Sequence, residues 1–300
     1  MTSAPEDKTI ALENTPPRHA KSPGDQDLAA RERDIALTDE ERAVVVEKQA
    51  ANTRIIHEVV RRHGDEEMER PALSLLFSGL AGGIGICASI LAQAQLEMML
   101  PDAPWRPLVA CFGYTVGFLI VILGHLQLFT ESTLSAVIPV ATHPTCSNML
   151  RLLRFWFLVL GANLIGTLLI AMTFDQEWII TAHQHQAMLD LSGHLLDRNF
   201  AQTLRMGIPA GFLIAAVPWM LPSAKGQEFW VIVTLTYLIS LGGFAHVVAG
   251  SGEAWLLALD GKITLLHALA GVMLPTLIGN VIGGTGLFAV LAHAQVRTEI

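Results

Sequence analysis

The chain has 300 residues, of which 52% are hydrophobic and only 15% are charged. This balance excludes an ordinary soluble domain and is typical of a protein that crosses a membrane several times. A net charge of −8 argues against nucleic acid as a partner, because that partner is bound by basic surfaces.

The polar residues are concentrated at the N-terminus. Residues 1–72 hold 11 of the 19 Lys and Arg and 16 of the 27 Asp and Glu. Residues 1–37 are rich in Pro, Asp, Lys and Ser, which predicts a disordered tail. Residues 38–70 predict a cytoplasmic amphipathic helix that either lies along the membrane surface or packs under the membrane domain, because charged and apolar residues alternate there at helical intervals. The first residues lack a basic and an apolar segment, so we expect no cleaved signal peptide.

Seven windows without Asp, Glu, Lys or Arg follow between residues 71 and 296, which we assign to a membrane domain. A bilayer crossing takes ~20 apolar residues. Two of the windows meet at Glu131 without a hydrophilic loop, and the polar segment 125–131 lies at their junction. Irregular backbone at membrane depth must be buried in protein or line a cavity. We therefore predict an all-α membrane protein with six transmembrane helices, the second of which is broken after about Gly124.

The orientation in the membrane follows from the basic residues near the ends of the spans. With the tail inside, the inside segments carry 15 Lys and Arg and the outside segments carry 4. Basic residues favour the cytoplasmic side. We expect a multi-pass protein of the cell inner (plasma) membrane with both termini in the cytoplasm.

The fifth span is also interrupted. Its glycines predict one break at Gly242 and Gly243 and a second break at residues 250–252, with His246 between the two breaks. A glycine- and asparagine-containing segment follows each broken span. Phe129 precedes Asn163 by 34 residues, and Phe244 precedes Asn280 by 36. Three spans per unit predict an inverted repeat, in which broken helices mark a transport site at the midplane.

Two roles are open for Asn163 and Asn280. Their amides either cap backbone groups freed at the breaks or contact the solute directly, and we favour capping. The residues predicted to act structurally at the helix breaks are Asn163, Asn280, Gly243 and Gly250.

Taken in order, four stretches resemble the formate/nitrite transporter family. They are LFTEST (128–133), GANLIGT (161–167), GGFAHVVAG (242–250) and LPTLIGNVIGG (274–284). The resemblance implies an aquaporin-like protomer, a homo-pentamer with one pore in each protomer, and passage of small monovalent anions such as formate, nitrite or hydrosulfide, or of their protonated acids. Leu128, Phe129 and Thr130 match the loop that narrows the pore, and His246 matches the central pore histidine.

Other positions depart from the family pattern. Glu131 replaces a small polar residue, and Ala245 and Gly250 replace acidic and amide neighbours of the histidine. Ile239 lies where the formate channel has an aromatic residue. Arg198 and Arg205 are the nearest cations to a lysine that some members carry near the outer mouth. For Glu131 the open alternatives are a partner such as Arg151 or Arg154, a subunit interface, or a protonated carboxyl group.

The mechanism expected from these residues couples an anion to a proton. Apolar collars formed by Leu128, Phe129, Ile239 and Phe244 penalise a bare carboxylate far more than a neutral acid. Neutral His246 and Thr130 would each donate a hydrogen bond to the anion, and a proton from His246 or from water would neutralise it. The alternatives are an aquaporin-like pore for small neutral solutes and a non-conducting membrane scaffold.

Enzyme, metal and cofactor functions find no support in the sequence. It contains no Ser/His/Asp spacing, HExxH motif or phosphate loop. Cys87, Cys111 and Cys146 have neither metal-ligand nor disulfide spacing. His183 and His185 fall in the segment 175–204, which predicts a polar loop with solvated imidazoles. We expect no enzymatic activity, no metal site and no cofactor.

Overall fold

The structure is a computed structural model that describes Thr38, Glu40 and residues 53–297. The expected disordered tail, and the start of the expected 38–70 helix, lie outside the described residues. Contacts divide the chain into two units, Met1–Ala50 and Ala51–Ile300, and the apolar helices lie in the second unit.

Most residues of the second unit are helical, and the described part of it contains no strand. In chain order they are α1 (Thr53–Glu69), α2 (Ala72–Ile86), α3 (Ala88–Met99), α4 (Arg106–Leu123), α5 (Ser132–Ser135), α6 (Val137–Thr142), α7 (Cys146–Asp175), α8 (Ala182–Ser192), α9 (Phe200–Met220), α10 (Glu228–Leu241), α11 (Val247–Leu259) and α12 (His267–Ala294, which includes two π-helical stretches).

Six membrane spans can be assigned from these helices. Five helical stretches are long and apolar enough to cross a bilayer: α2 with α3, α4, α7, α9 with the turn after it, and α12. The second span continues beyond α4 through α5 and α6, and the fifth consists of the two shorter apolar helices α10 and α11. The prediction of six spans with the second and fifth broken is therefore confirmed.

The repeat is visible in the helix packing. Helix α2 lies against α7, and helix α9 lies in the same way against α12. A Cβ added to Gly83 would strike the backbone of Asn163, and a Cβ added to Gly211 would strike the backbone of Asn280. Glycine at these two positions lets the paired helices approach closely, which is how membrane helices gain packing energy.

Helix α1 docks against the inverted repeat through one apolar face. Val60 is 2% exposed and packs with residues of α6 and α9. His57 is also buried, and its Nε2 lies 3.1 Å from Nδ1 of His293. Burial lowers the pKa of His57, and the nearby charge of His293 lowers it further.

The opposite face of α1 carries ion pairs at helical spacing. Arg61 contacts Glu58 and Asp65 at 2.7 Å each. Hydrogen bonds from Arg61 and Arg62 lower the pKa of Glu58 to about 2. This polar face fits a helix lying at a membrane surface.

The segment 175–204 contains a helix where the sequence predicted a loop. Helix α8 begins with a capping box, in which Thr181 and Gln184 satisfy each other's backbone N–H groups. His183 and His185 therefore lie on a helix, with His185 Nδ1 3.8 Å from Glu177. The residues with described side chains contain no group of three His, Cys, Asp or Glu able to hold a metal ion.

Candidate transport pathway

The break in the second span is held together by one asparagine. Helix α4 ends at Leu123, and the irregular segment up to Glu131 exposes backbone groups that no helix can satisfy. Asn163 Oδ1 accepts the Phe129 N–H at 2.9 Å. Its Nδ2 donates to Gln127 O at 2.8 Å and to Gly79 O at 2.7 Å. The amide thus supplies the partners that this loop would otherwise lack inside a bilayer.

The break in the fifth span repeats this arrangement. Gly243 has a φ of +60°, a left-handed conformation that favours glycine, and α11 begins four residues later. Asn280 Oδ1 accepts the Val247 N–H at 2.8 Å, and its Nδ2 donates to Ala245 O and Gly207 O at 2.8 Å each. Both asparagines are fully buried, and each binds one N–H and two carbonyl groups.

These hydrogen bonds correct the register of the repeat. The spacing in the sequence paired Phe129 with Phe244. The asparagine contacts instead pair Phe129 with Val247, since those two N–H groups bind Asn163 and Asn280 respectively. The difference arises because the loop before α11 is shorter than the loop before α5.

The expected second break of the fifth span is wrong. Helix α11 runs without interruption through Gly250. His246 caps its N-terminus, and the Gly250 N–H donates to His246 O at 2.8 Å as part of the first turn. A Cβ on Gly250 would meet no atom within 4 Å, because the residue borders a cavity. Gly250 is therefore a cavity-lining residue and not a helix-breaking one.

His246 joins the two broken spans. Its Nδ1 accepts the Ala249 N–H at 3.1 Å, and its Nε2 lies 2.6 Å from Thr130 Oγ1. The backbone donor requires a lone pair on Nδ1, so neutral His246 carries its proton on Nε2 and donates it to Thr130. Phe118 packs its ring against the imidazole at a centroid distance of 5.0 Å. The ring is 2% exposed.

The remaining predicted pore residues occupy different environments. Leu128 and Phe129 are buried beside Thr130, and Phe129 packs edge-on against Trp156 at 5.6 Å. Phe244 is half-buried and lines a cavity next to His246. Ile239 is fully buried in the packed core, where its carbonyl accepts the Phe244 N–H. The structure thus brings Leu128, Phe129, Thr130 and His246 together and places Ile239 behind Phe244.

Two cavities lie on either side of this junction. Cavity A, of about 370 Å³, reaches His246 and is bounded by α8. Cavity B, of about 340 Å³, reaches Gln127 and Glu131 and is bounded by α1. Three spans separate α1 from α8 in the chain, so the two cavities open toward opposite membrane faces.

The surroundings of Glu131 correct one expected partner. Arg151 contacts Glu69 at 3.2 Å, and Arg154 donates to Arg70 O. Neither therefore binds Glu131, which instead borders cavity B together with His63 and His125.

Cavity A contains Arg198, which the sequence analysis named, and two titratable residues that it overlooked, Glu253 and His194. Glu253 lies seven residues after His246, two helical turns away on the same face of α11, and this spacing was the available signal. His194 and Arg198 come from the segment after α8. Only folding brings that segment over the fifth span.

Comparison with known proteins identifies the family. The model of the family described as "Formate/nitrite transporter" matches residues 54–294. Inner membrane protein YfdC of Escherichia coli (strain K12) is 38% identical over 245 residues, covering 82% of this chain and 79% of the relative. Formate channel FocA of Haemophilus influenzae is 24% identical over 263 residues, covering 77% and 89%. A solved "Pentameric formate channel with formate bound" superposes with a TM-score of 0.64 at 19% identity, covering 76% of this chain and 98% of that one. The chain belongs to the formate/nitrite transporter family.

Proposed function

We propose that the chain is a transmembrane channel or transporter for small monovalent anions such as formate or nitrite, with proton-coupled passage through a constriction that its central histidine holds. The observation that carries this proposal is the 2.6 Å contact between Thr130 and His246. It joins the two broken spans at a buried point between cavities A and B. Membership of a transporter family, and relatives named as formate channels, support it.

The geometry assigns a donor to the anion. Thr130 Oγ1 accepts the Nε2 proton of His246, which leaves the hydroxyl proton of Thr130 to be donated. Neutral His246 therefore acts by orienting Thr130. An anion arriving from cavity A would receive this hydrogen bond at the narrowest point.

Desolvation explains why a proton must accompany the anion. Leu128 and Phe129 fill the segment between the cavities and are nearly inaccessible. The idealised cost of moving a carboxylate-sized ion into such surroundings is about 20 kcal/mol. A neutral acid loses only the hydration of a polar group, a few kcal/mol. Transport is therefore expected to accelerate as the pH on the cavity A side falls.

The cellular arrangement is proposed on the same grounds. The excess of basic residues on one side supports cytoplasmic termini and a division into a tail (1–37), a surface helix (38–70) and a membrane domain (71–296). A relative named as an inner membrane protein supports that location. Large exposed apolar side chains, such as Phe157 at 80%, fit contact with lipid or with neighbouring copies. A related channel titled pentameric supports a homo-pentamer.

The test is a flux assay in proteoliposomes. Formate, nitrite, hydrosulfide, lactate and chloride are compared at two external pH values, using the wild type and His246→Phe. We expect formate or nitrite flux that rises at the lower pH and is lost in the variant. Ser251→Ala is the matched control, because Ser251 is a buried hydroxyl on the same helix that bonds Thr167 and lines neither cavity. Unchanged flux and pH dependence in His246→Phe would refute the assigned role.

Two other outcomes would replace the proposal. Osmotic swelling in uncharged solutes without anion flux would indicate an aquaporin-like pore. Absence of flux for every solute would indicate a membrane scaffold. Membership of a family of transporters supports a non-enzymatic role in each case.

A further inference from the structure

Three titratable side chains in cavity A leave part of their hydrogen-bonding capacity unused. We propose that Arg198, Glu253 and His194 form a loading site that binds a small monocarboxylate together with one proton, before the anion reaches Thr130. This inference rests on the proposed transport function and adds to it the place and source of protonation.

The tautomer of His194 is fixed by its backbone contact. Its Nδ1 lies 2.9 Å from Leu191 O, and a carbonyl oxygen can only accept, so Nδ1 carries a proton. Neutral His194 then has a lone pair on Nε2. That atom lies 3.6 Å from Glu253 Oε2. Two acceptors face each other unless a proton is present on one of them, so the His194–Glu253 pair retains one proton.

The environment of Glu253 suits it to pass this proton to a bound ligand. It is 9% exposed, and its Oε2 has no hydrogen-bond partner among the residues that the structure describes. A buried carboxyl oxygen without a partner costs free energy, which a ligand bound against it would recover. His194 is 42% exposed at its side chain and therefore connects Glu253 to the water at the mouth of the cavity.

Arg198 supplies the complementary donor. Its Nη1 is buried and has no hydrogen-bond partner within the described part of the chain. The guanidinium also approaches the break in the fifth span, since a Cβ on Gly243 would lie 3.3 Å from Nη2. A carboxylate is the ligand whose planar oxygens match a guanidinium, whereas chloride offers no second atom. An unpaired donor, Arg198 Nη1, and an unpaired acceptor, Glu253 Oε2, thus lie in the same cavity among the described residues. Together they fit a carboxylate and its proton.

The proton transfer balances without any further reactant. The O–H bond of the Glu253 carboxyl group breaks, and an O–H bond forms on the bound carboxylate, which becomes the neutral acid. His194 then takes a proton from the external solution at its free Nε2, forming the imidazolium, and passes this Nε2 proton to the Glu253 carboxylate, which returns His194 to its neutral form. Each cycle removes one anion and one proton from the cavity A side. The proton moves between two carboxyl groups, whose ordinary pKa values are similar.

Acidic side chains outnumber cationic ones in the described lining of cavity A. Arg198 is the one Lys or Arg in the described lining, so added negative charge there is poorly compensated. The other titratable groups that face Glu253 are His246 on its own helix, Cys87 and Glu97 on the first span, Tyr114 on α4 and Asp190 on α8.

The test measures binding and proton uptake on the purified full chain. Acetate and formate are titrated calorimetrically at pH 6 and pH 8, in buffers of different ionisation enthalpy, with chloride as the comparison ion. Wild type should take up close to one proton per bound carboxylate at pH 8, as linkage requires. Glu253→Gln should take up almost none and bind with the same affinity at both pH values.

Two further site variants and a control distinguish the loss of a site residue from misfolding. His194→Gln, which alters a partly exposed side chain, should also lose proton uptake. Arg198→Gln should weaken carboxylate binding at least tenfold at both pH values. Asp175→Asn is the matched control, because Asp175 is a carboxylate bonded to Gln176 and lies outside the lining of cavity A. It should change affinity less than twofold.

The outcomes separate the two proposals. Wild-type proton uptake in Glu253→Gln, wild-type affinity in Arg198→Gln, or no carboxylate binding by the wild type would overturn the loading site. Such a result combined with pH-dependent formate flux would leave the proposed transport function standing. Proton-linked binding that depends on Glu253, without flux of any anion, would support the loading site and refute transport.

Discussion

Replacing Asn280 by Ala should destabilise the protein by an amount that its hydrogen bonds predict. The substitution removes three contacts of 2.8 Å, to Val247 N, Ala245 O and Gly207 O. Gly207 O lies within helix α9, so losing its contact with Asn280 costs little free energy. Val247 N and Ala245 O lie in the break and lose the partner on which they depend.

The magnitude follows from these two stranded groups. A buried polar group left without a partner costs about 1–3 kcal/mol, so the substitution should cost about 2–6 kcal/mol. At about 2–4 °C per kcal/mol for a chain of this size, the thermal midpoint should fall by roughly 4–24 °C. Asn163→Ala should give a similar loss, because Asn163 binds the equivalent N–H and carbonyl groups.

The assay compares thermal midpoints of the purified protein in one detergent. Asn148→Ala is the matched control, since Asn148 is a partly exposed asparagine on the same helix as Asn163 and forms its hydrogen bonds near the surface. It should shift the midpoint only slightly. Asn280→Asp should be no better than Ala, because it places a carboxylate against two carbonyl oxygens. A midpoint for Asn280→Ala within about 2 °C of the control, below the smallest loss expected, would refute the capping role.

Further predictions concern the constriction and helix α1. Thr130→Val should lower anion flux roughly ten- to hundredfold because it removes the donor and strands His246, while Ser251→Ala leaves proteoliposome flux within twofold. Gly64→Ala should loosen α1 and speed its tryptic cleavage, because the new Cβ strikes backbone of α5, whereas Gly161→Ala meets no atom within 4 Å and should not. The pKa of His57 is lowered from 6.5, so the unfolded state binds more protons and the stability due to neutral His57 is present above pH 6.5 and lost as the pH falls below it. The protection of α1 against hydrogen exchange, corrected for the intrinsic amide rate at each pH, should therefore fall between pH 8 and pH 5.5, and less so in His57→Gln; equal changes in both proteins would contradict this.

The broken spans could be predicted because local sequence determines them. The apolar windows that meet at Glu131 exceed one crossing, and Gly243 allows a left-handed turn that few residues adopt. The two asparagines could also be found, since a polar amide at matching places in two apolar spans needs a reason. Their partners on Gly79 and Gly207 could not be predicted, because those contacts form only when distant spans pack.

The errors have equally specific causes. Glycine is unfavourable within a helix but does not forbid one, and Gly250 continues α11 because His246 caps the helix just before it. The register of the repeat was wrong because aromatic residues were matched where backbone N–H groups are the equivalent atoms. Glu253 was overlooked because it ends the charge-free window 229–252 and was therefore taken as the boundary of the span, although it lies in the middle of α11. Its significance comes from His194, which a different connecting segment provides.

The hydrogen bonds of His246 bear on how a histidine at such a constriction can act. Protonating Nδ1 would break its contact with the Ala249 N–H and thereby remove the cap of α11. Deprotonating or moving Nε2 would disturb Thr130, whose free hydroxyl proton depends on the bond that this N–H donates. A residue that holds both a helix terminus and the orienting bond of a donor is poorly suited to gain and lose a proton in every cycle. If transport is proton-coupled, the geometry therefore separates two tasks: His246 fixes the constriction in one protonation state, and the exchangeable proton is carried where an acidic group faces water through His194. A Glu253→Gln variant that still conducts anions, but no longer faster at low pH, is the result that this division of tasks requires.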